Sequence, residues 1–349
     1  MAYSQKYVTY PNIRDMDSVH KHIQDVHSLF MDAGFIQSSD INQYDITNKS
    51  DYDYSLFLDS TSYGSFYDMG RLVFDFPDYY DEDGCALKLK IGIIFSVIKV
   101  TPFSTPTLSN CPIVFYHRFF ISPVTDGESN VLAPFSTYNQ GVYVYSSTTT
   151  NTGLGYTNSA NNSIVSYDKI SKTFYLNICP YYRYGHSQYN GYSSLSMIFG
   201  TMATDKYGKF YDGNECTFNF FMPYYTYSSS IGNGTFESCS YKLDLTGTSK
   251  ISILNTPMTV TANALPNGCA YYQNMFCQTK QSSYVSPSKN ILIVHNNFSH
   301  AHNTIADLKY DDEHVGRFIS VNIFTYARAY LNSDTSGYYN ILVRIPDNE

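Results

Sequence analysis

Near the start of the chain the apolar residues recur at helical spacing. Met16, Val19, Ile23, Val26 and Phe30 follow one another at intervals of three and four, which places them on one stripe of an α-helix. Asp15, Asp17 and Ser18 supply a cap and favourable charge at its N-terminus. Ala33-Gly34-Phe35-Ile36 predicts a left-handed C-cap followed by a hydrophobic residue that folds back on the helix. From about residue 52 the period falls to two. Strands are predicted at 55–58, 71–76, 87–100, 113–121, 142–145, 173–178, 216–221, 241–245, 251–254, 258–260, 291–294, 317–326 and 339–345. Short strands separated by Gly, Asn, Ser and Pro turns, with no fixed repeat, indicate a mainly β protein. The expected architecture is an antiparallel β-sandwich or barrel-like body with one N-terminal amphipathic helix.

This pattern divides the chain into an N-terminal helix and extended segment at 1–50 and a β-rich body at 51–349. An inserted β subdomain has room at about 123–290. Residues 122–172, rich in Ser, Thr, Asn and Gly, lack the apolar content of a core and are expected to make an exposed hairpin or contact arm.

Composition changes the picture of the surface. The 349 residues include 36 Tyr and no Trp, and only 15% are charged, against about 25% in an ordinary soluble domain. Hydroxyls and amides must do much of the wetting. A net charge of −8 leaves no basic footprint for nucleic acid, whose binding needs clustered Lys and Arg to displace counterions. No basic segment followed by an apolar run opens the chain, so no signal peptide is expected. The longest apolar stretch, at 91–100, contains Ser96 and Lys99 and is too short to insert in a membrane. Seven Cys are scattered singly with no CxxC pair, the pattern of free thiols in a reducing compartment.

Candidate chemistry is sparse. His20, His22 and His27 decorate the helix and are expected on its polar face; His20 and His27 lie two turns apart, too far to share a metal. The acidic run at 75–84 fails a calcium loop at both ends and is expected to be a solvated turn joining the strands around Leu72 and Leu87. His300 and His302, with His295 nearby, are the best metal candidates, because residues two apart on an extended segment project to one face; a hydrogen-bonded loop is the stronger expectation. Nucleophile elbows, zinc-protease pairs and phosphate loops are missing, so neither catalysis nor a cofactor is expected. Three tyrosine groups stand out: Tyr181, Tyr182 and Tyr184; Tyr224, Tyr225 and Tyr227; Tyr271 and Tyr272. Phenols combine large contact area, low entropy cost and a water-tolerant hydroxyl, which suits protein or glycan contacts; cross-strand packing within a sheet is the alternative.

The segment from Asp32 to Ile46 resembles an opening found in structural proteins of tailed-phage virions. There a helix ends in Ala-Gly, followed by a hydrophobic pair, a polar turn and an extended segment; Ala33, Gly34, Ser38, Asp40 and Gln43 match. The segments 317–324 and 340–344 are similar in style to the closing strands of such proteins. The resemblance implies a tail or baseplate component made in the bacterial host cytoplasm and located in the virion. Its implied partners are other virion proteins and copies of itself. The alternatives are a receptor- or glycan-binding adhesin of the tail and, third, an enzyme degrading envelope polysaccharide.

Overall fold

The computed structural model describes residues 2–9, 11, 15–39, 66–78, 89–99, 113–123, 144–146, 160–178, 197–205, 207, 209–211, 217–228, 233–244, 251–254, 271–278, 285–295, 304–309, 315–324 and 338–347. In chain order, β1 (Tyr3–Thr9) leads into α1 (Met16–Asp32), then β2 (Ile36–Gln37), β3 (Phe66–Asp75), β4 (Leu89–Lys99), β5 (Ile113–Pro123) and β6 (Val144–Ser146). β7 (Ala160–Asp168), β8 (Thr173–Asn177), β9 (Met197–Met202), β10 (Thr217–Ser228), β11 (Asn233–Asp244) and β12 (Ile251–Leu254) follow. β13 (Tyr271–Gln278), β14 (Val285–His295), β15 (Ile305–Lys309), β16 (Val315–Phe324) and β17 (Tyr338–Arg344) complete the order.

The protein is mainly β, with three antiparallel sheets and one N-terminal helix among the described residues. A central seven-stranded sheet runs β1-β7-β8-β9-β10-β11-β12, a second runs β2-β3-β4-β5-β6, and a C-terminal sheet runs β13-β14-β17-β16-β15. Each sheet is an open ladder, so the expectation of a sandwich suits this arrangement better than that of a closed barrel.

Alternation along the central strands explains the layering, because successive side chains of a strand point to opposite faces. Val165, Tyr167, Phe174, Leu176, Ile198, Phe218 and Phe220 share one apolar cluster with α1 and with Leu72, Phe74, Ile91, Ile93 and Phe95 of the second sheet. Their neighbours Ile164, Tyr175, Met197 and Phe199 join Ile291, Ile319, Val321, Ile341 and Val343 of the C-terminal sheet. The central sheet is thus the filling of a three-layer stack. Strands buried on both faces read as continuous runs, and β8 is buried at all five positions.

α1 forms as its apolar stripe requires. Val19, Ile23, Val26 and Phe30 are buried, and Asp15 caps the N-terminus by accepting from the backbone N–H of Asp17 at 3.0 Å. The C-terminus closes in a Schellman motif: Phe35 N–H donates to Phe30 O at 3.1 Å and Gly34 N–H to Met31 O at 3.0 Å, with Gly34 at φ +82°. Phe35 folds back edge-on against Phe30, ring centroids 5.2 Å apart, and Phe30 stacks on Phe74 at 4.5 Å. The helix therefore joins the β1 edge of the central sheet to the second sheet.

Several predicted strands recur with shifted bounds, while β1, β2, β7, β9, β13 and β15 were not among them. Residues 160–168 correct the expectation of an exposed arm across 122–172. They form β7, inside the central sheet between β1 and β8, with Ser163, Ile164, Val165, Ser166 and Tyr167 buried. Small hydroxyl residues serve there because both sheet faces are covered and the backbone is paired on both sides. The predicted strands at 55–58 and 258–260 lie outside the described residues.

Candidate functional site

Tyr224, Tyr225 and Tyr227 sit on β10, opposite Glu237, Phe236 and Gly234 of β11. Tyr271 and Tyr272 open β13, opposite His295 and Val294 of β14. Tyr181, Tyr182, Tyr184, His300 and His302 lie outside the described residues. Among the described residues no cluster of three or more His, Cys, Asp or Glu could hold a metal ion. What the structure gathers instead is a set of buried ionisable groups that hold the layers together.

Two of them correct the reading of 75–84 as a solvated turn at Asp75 and Asp78, while 79–84 lie outside the described residues. Asp75 and Asp78 are both buried, each against a buried lysine. Lys90 lies directly opposite Asp75 on the β3–β4 ladder, and its ammonium reaches Asp75 Oδ1 at 2.6 Å and Ser38 Oγ at 2.8 Å. Ser38 is pinned in turn, its N–H donating to Val73 O at 2.9 Å. This bond set fastens the segment after α1 onto the second sheet. The acidic spacing at 75–84 was visible in the sequence, but which carboxylates turn inward depends on lysines 15 and 94 residues away.

Asp78 receives Lys172 Nζ at 2.5 Å and the Tyr167 hydroxyl at 3.0 Å on the same oxygen, Oδ2. Burial first, then the Asp78 carboxylate, push the Tyr167 phenol well above its usual range, so it remains a donor. Lys172 lies in the β7–β8 turn at φ +50°, a left-handed backbone uncommon for lysine that costs of order 1 kcal/mol. The turn is over-determined by its neighbours. Ser171 Oγ donates to Asp168 Oδ2 at 2.6 Å, the Thr173 and Thr201 hydroxyls meet at 3.1 Å, and Asn290 Nδ2 donates to Ser171 O at 3.2 Å. Arg344 Nε stands 3.4 Å from Asp168 Oδ2. Residues of all three layers therefore converge on one turn. With ion pairs and hydrogen bonds from three layers meeting at one largely buried turn, the cluster is built to clamp.

The third centre joins α1 to β5. His22, expected on the polar face, is buried, while His20 and His27 are half-buried and bond Gln24 and Gln37. His22 Nδ1 lies 2.8 Å from Thr9 O and therefore carries a proton to donate. Its Nε2 lies 2.7 Å from His117 Nε2, with the two rings stacked at 4.9 Å. A neutral His22 then accepts from His117 Nε2–H. The separation is that of a hydrogen bond; two imidazoles on one tetrahedral zinc, each about 2.0–2.1 Å from the metal, stand farther apart. Burial drives the His22 pKa down to about 4, opposed by the Thr9 carbonyl and by Asp25, and drives that of His117 well below the usual histidine range. Residue 22 lies on the apolar stripe beside Val19, Ile23 and Val26, and that periodicity is the signal that could have located it.

Among the described residues, three of the large exposed apolar side chains lie towards one end of the central sheet, while Tyr7 on β1 is 73% exposed away from it. The β7–β8 turn and the β9–β10 connection leave the central sheet at the same end. The bonds of Asn290 and Arg344 to that turn bring the Val315 end of the C-terminal sheet alongside. Ile170, Tyr207 and Val315 are 82%, 81% and 62% exposed there. No helix among the described residues is long and apolar enough to cross a membrane. A comparison of the chain with protein-family models, with the curated proteins and with the solved structures finds no match.

Proposed function

We propose that this chain is a structural subunit of a protein particle, of the tailed-phage tail or baseplate kind, which works by making contacts with other subunits and with copies of itself. The observation that carries the reading is the contrast between its interior and its Ile170–Tyr207–Val315 end. Buried ionisable groups are spent on contacts between layers: Lys172 with Asp78, Arg344 with Asp168, and His22 with His117. The turn tips at that end instead offer large apolar side chains to solvent. Large apolar groups exposed on turns at one end favour partner contact, and the low charge of the whole chain points the same way. The helix ending in Ala33-Gly34, followed by Ser38, supports the phage assignment through its resemblance to virion proteins.

Native mass spectrometry of the full chain and of Ile170→Asp/Tyr207→Asp tests the reading. Both side chains stand in solvent, so the double variant should fold as the parent does. The expected result is a multiple of 39.7 kDa for the parent and a shift towards single chains for the variant. A parent that stays a single chain at every concentration, or a variant that assembles unchanged, would overturn contact through this end.

A further inference from the structure

We infer that the His22–His117 pair is an acid-sensitive fastener, which holds the β1–α1 unit against β5 while the pair is neutral and loosens as acid charges it. The bond geometry defines the neutral form. His22 is committed as a donor to Thr9 O at 2.8 Å, so its Nε2 must keep a lone pair to accept from His117 at 2.7 Å. A proton added to His22 removes that acceptor and, while His117 keeps its Nε2–H, sets two N–H groups head to head. A proton added to His117 leaves its Nε2–H bonded to His22 but places a charge in an apolar core beside Phe95 and Phe119, whose rings lie 5.6 and 6.2 Å from its own. Either event buries a charge that water would solvate better.

The surroundings decide whether a charge could be tolerated. From α1, Asp25 is the carboxylate acting on His22, and Lys21 Nζ already holds both its oxygens at 2.9 and 3.0 Å. From β1 the contribution is the Thr9 carbonyl dipole; from β4 and β5 it is the Phe95 and Phe119 rings. Asp25 and the carbonyl favour a proton on His22, yet the burial of both rings outweighs them. Undocking the β1–α1 unit removes that burial and lets both imidazoles charge. Acid therefore shifts the docking equilibrium, and through α1 it acts on the junction between the central and second sheets. The two histidines are 95 residues apart in the chain, so the effect is one of tertiary docking and not of helix propensity.

Backbone hydrogen exchange of α1, corrected for the intrinsic pH dependence of the exchange chemistry, tests the inference in the parent and in His22→Gln/His117→Phe, whose amide can still reach Thr9 O. Between about pH 7 and about pH 5 the α1 amides of the parent should lose protection by roughly twentyfold or more beyond the loss in the double variant. No loss in α1 of the parent, or the same acid response in the double variant, would overturn the inference. Should that variant fail to fold, imidazole nitrogen shifts in the parent decide alone. The expected spectrum shows a neutral, Nδ1-protonated His22 down to about pH 5, and titration of either ring near the ordinary histidine value would contradict it.

Discussion

Two glycines separate the reasons a chain can need that residue. Gly34, at φ +82°, has nothing within 4 Å of where a Cβ would stand, so an alanine there meets only the left-handed backbone penalty. Gly200 has an ordinary backbone but no space: a Cβ would lie 2.6 Å from Asn219 O and from Phe220 Cβ, and 2.7 Å from Phe218. Gly34→Ala should cost about 1 kcal/mol and shorten the ordered C-terminus of α1. Gly200→Ala should cost about 1–3 kcal/mol by prising β9 from β10. Urea unfolding of the two variants checks the order; equal losses would contradict it. His22 supplies the pH dependence at this scale. Its pKa is about 4 when folded and 6.5 in the ordinary state, so between those values the unfolded chain takes up a proton that the folded chain refuses. Its contribution is fully present above the upper value and falls with pH, by about 3 kcal/mol at the lower end. His117 acts in the same direction. Urea midpoints measured across this range should fall more steeply for the parent than for His22→Gln/His117→Phe, and parallel curves would contradict the assignment.

At the scale of elements, legibility followed the locality of the signal. α1 was readable with its caps, because period, Asp15, Gly34 and Phe35 all lie within one short stretch and the Schellman bonds close inside it. β12 matches its expected bounds and β17 differs by one residue at each end, because apolar runs mark them. β7 was not readable: Ala160-Asn-Asn-Ser-Ile-Val-Ser-Tyr-Asp has the composition of a loop, and only pairing to β1 and β8 makes its serines interior residues. The inward turn of Asp75 was equally hidden, since it depends on Lys90 arriving opposite across the hairpin. That pair offers a direct test of element-level energetics. Asp75→Leu or Lys90→Met alone should cost about 3–5 kcal/mol, because each strands a buried charge. The double variant should recover most of that loss. A double variant no better than the sum of its parts would show that the two groups do not act as a pair.

For the whole molecule, the sequence supports a β-rich body and an N-terminal helix, but not the three-layer stack. That stack exists because Val165 and Tyr167 face the helix side while Ile164 faces Ile319 and Val343, a division between partners more than 100 residues apart. The site was less legible than the fold. The tyrosines singled out by pattern, with His295, His300 and His302, either lie in strand registers or fall outside the described residues, and His20, His22 and His27 lie on α1. The groups that bind the layers, Lys172, Asp78, Arg344 and His117, carry no local signature. The central claim is that such a body is a component of a larger particle. Density-gradient sedimentation of virions from an infected host, with the chain followed by antibody, tests this most directly. The account predicts that the chain travels with intact particles in fixed ratio to their other proteins. Recovery wholly in the slow soluble fraction, with particles complete without it, would contradict the account.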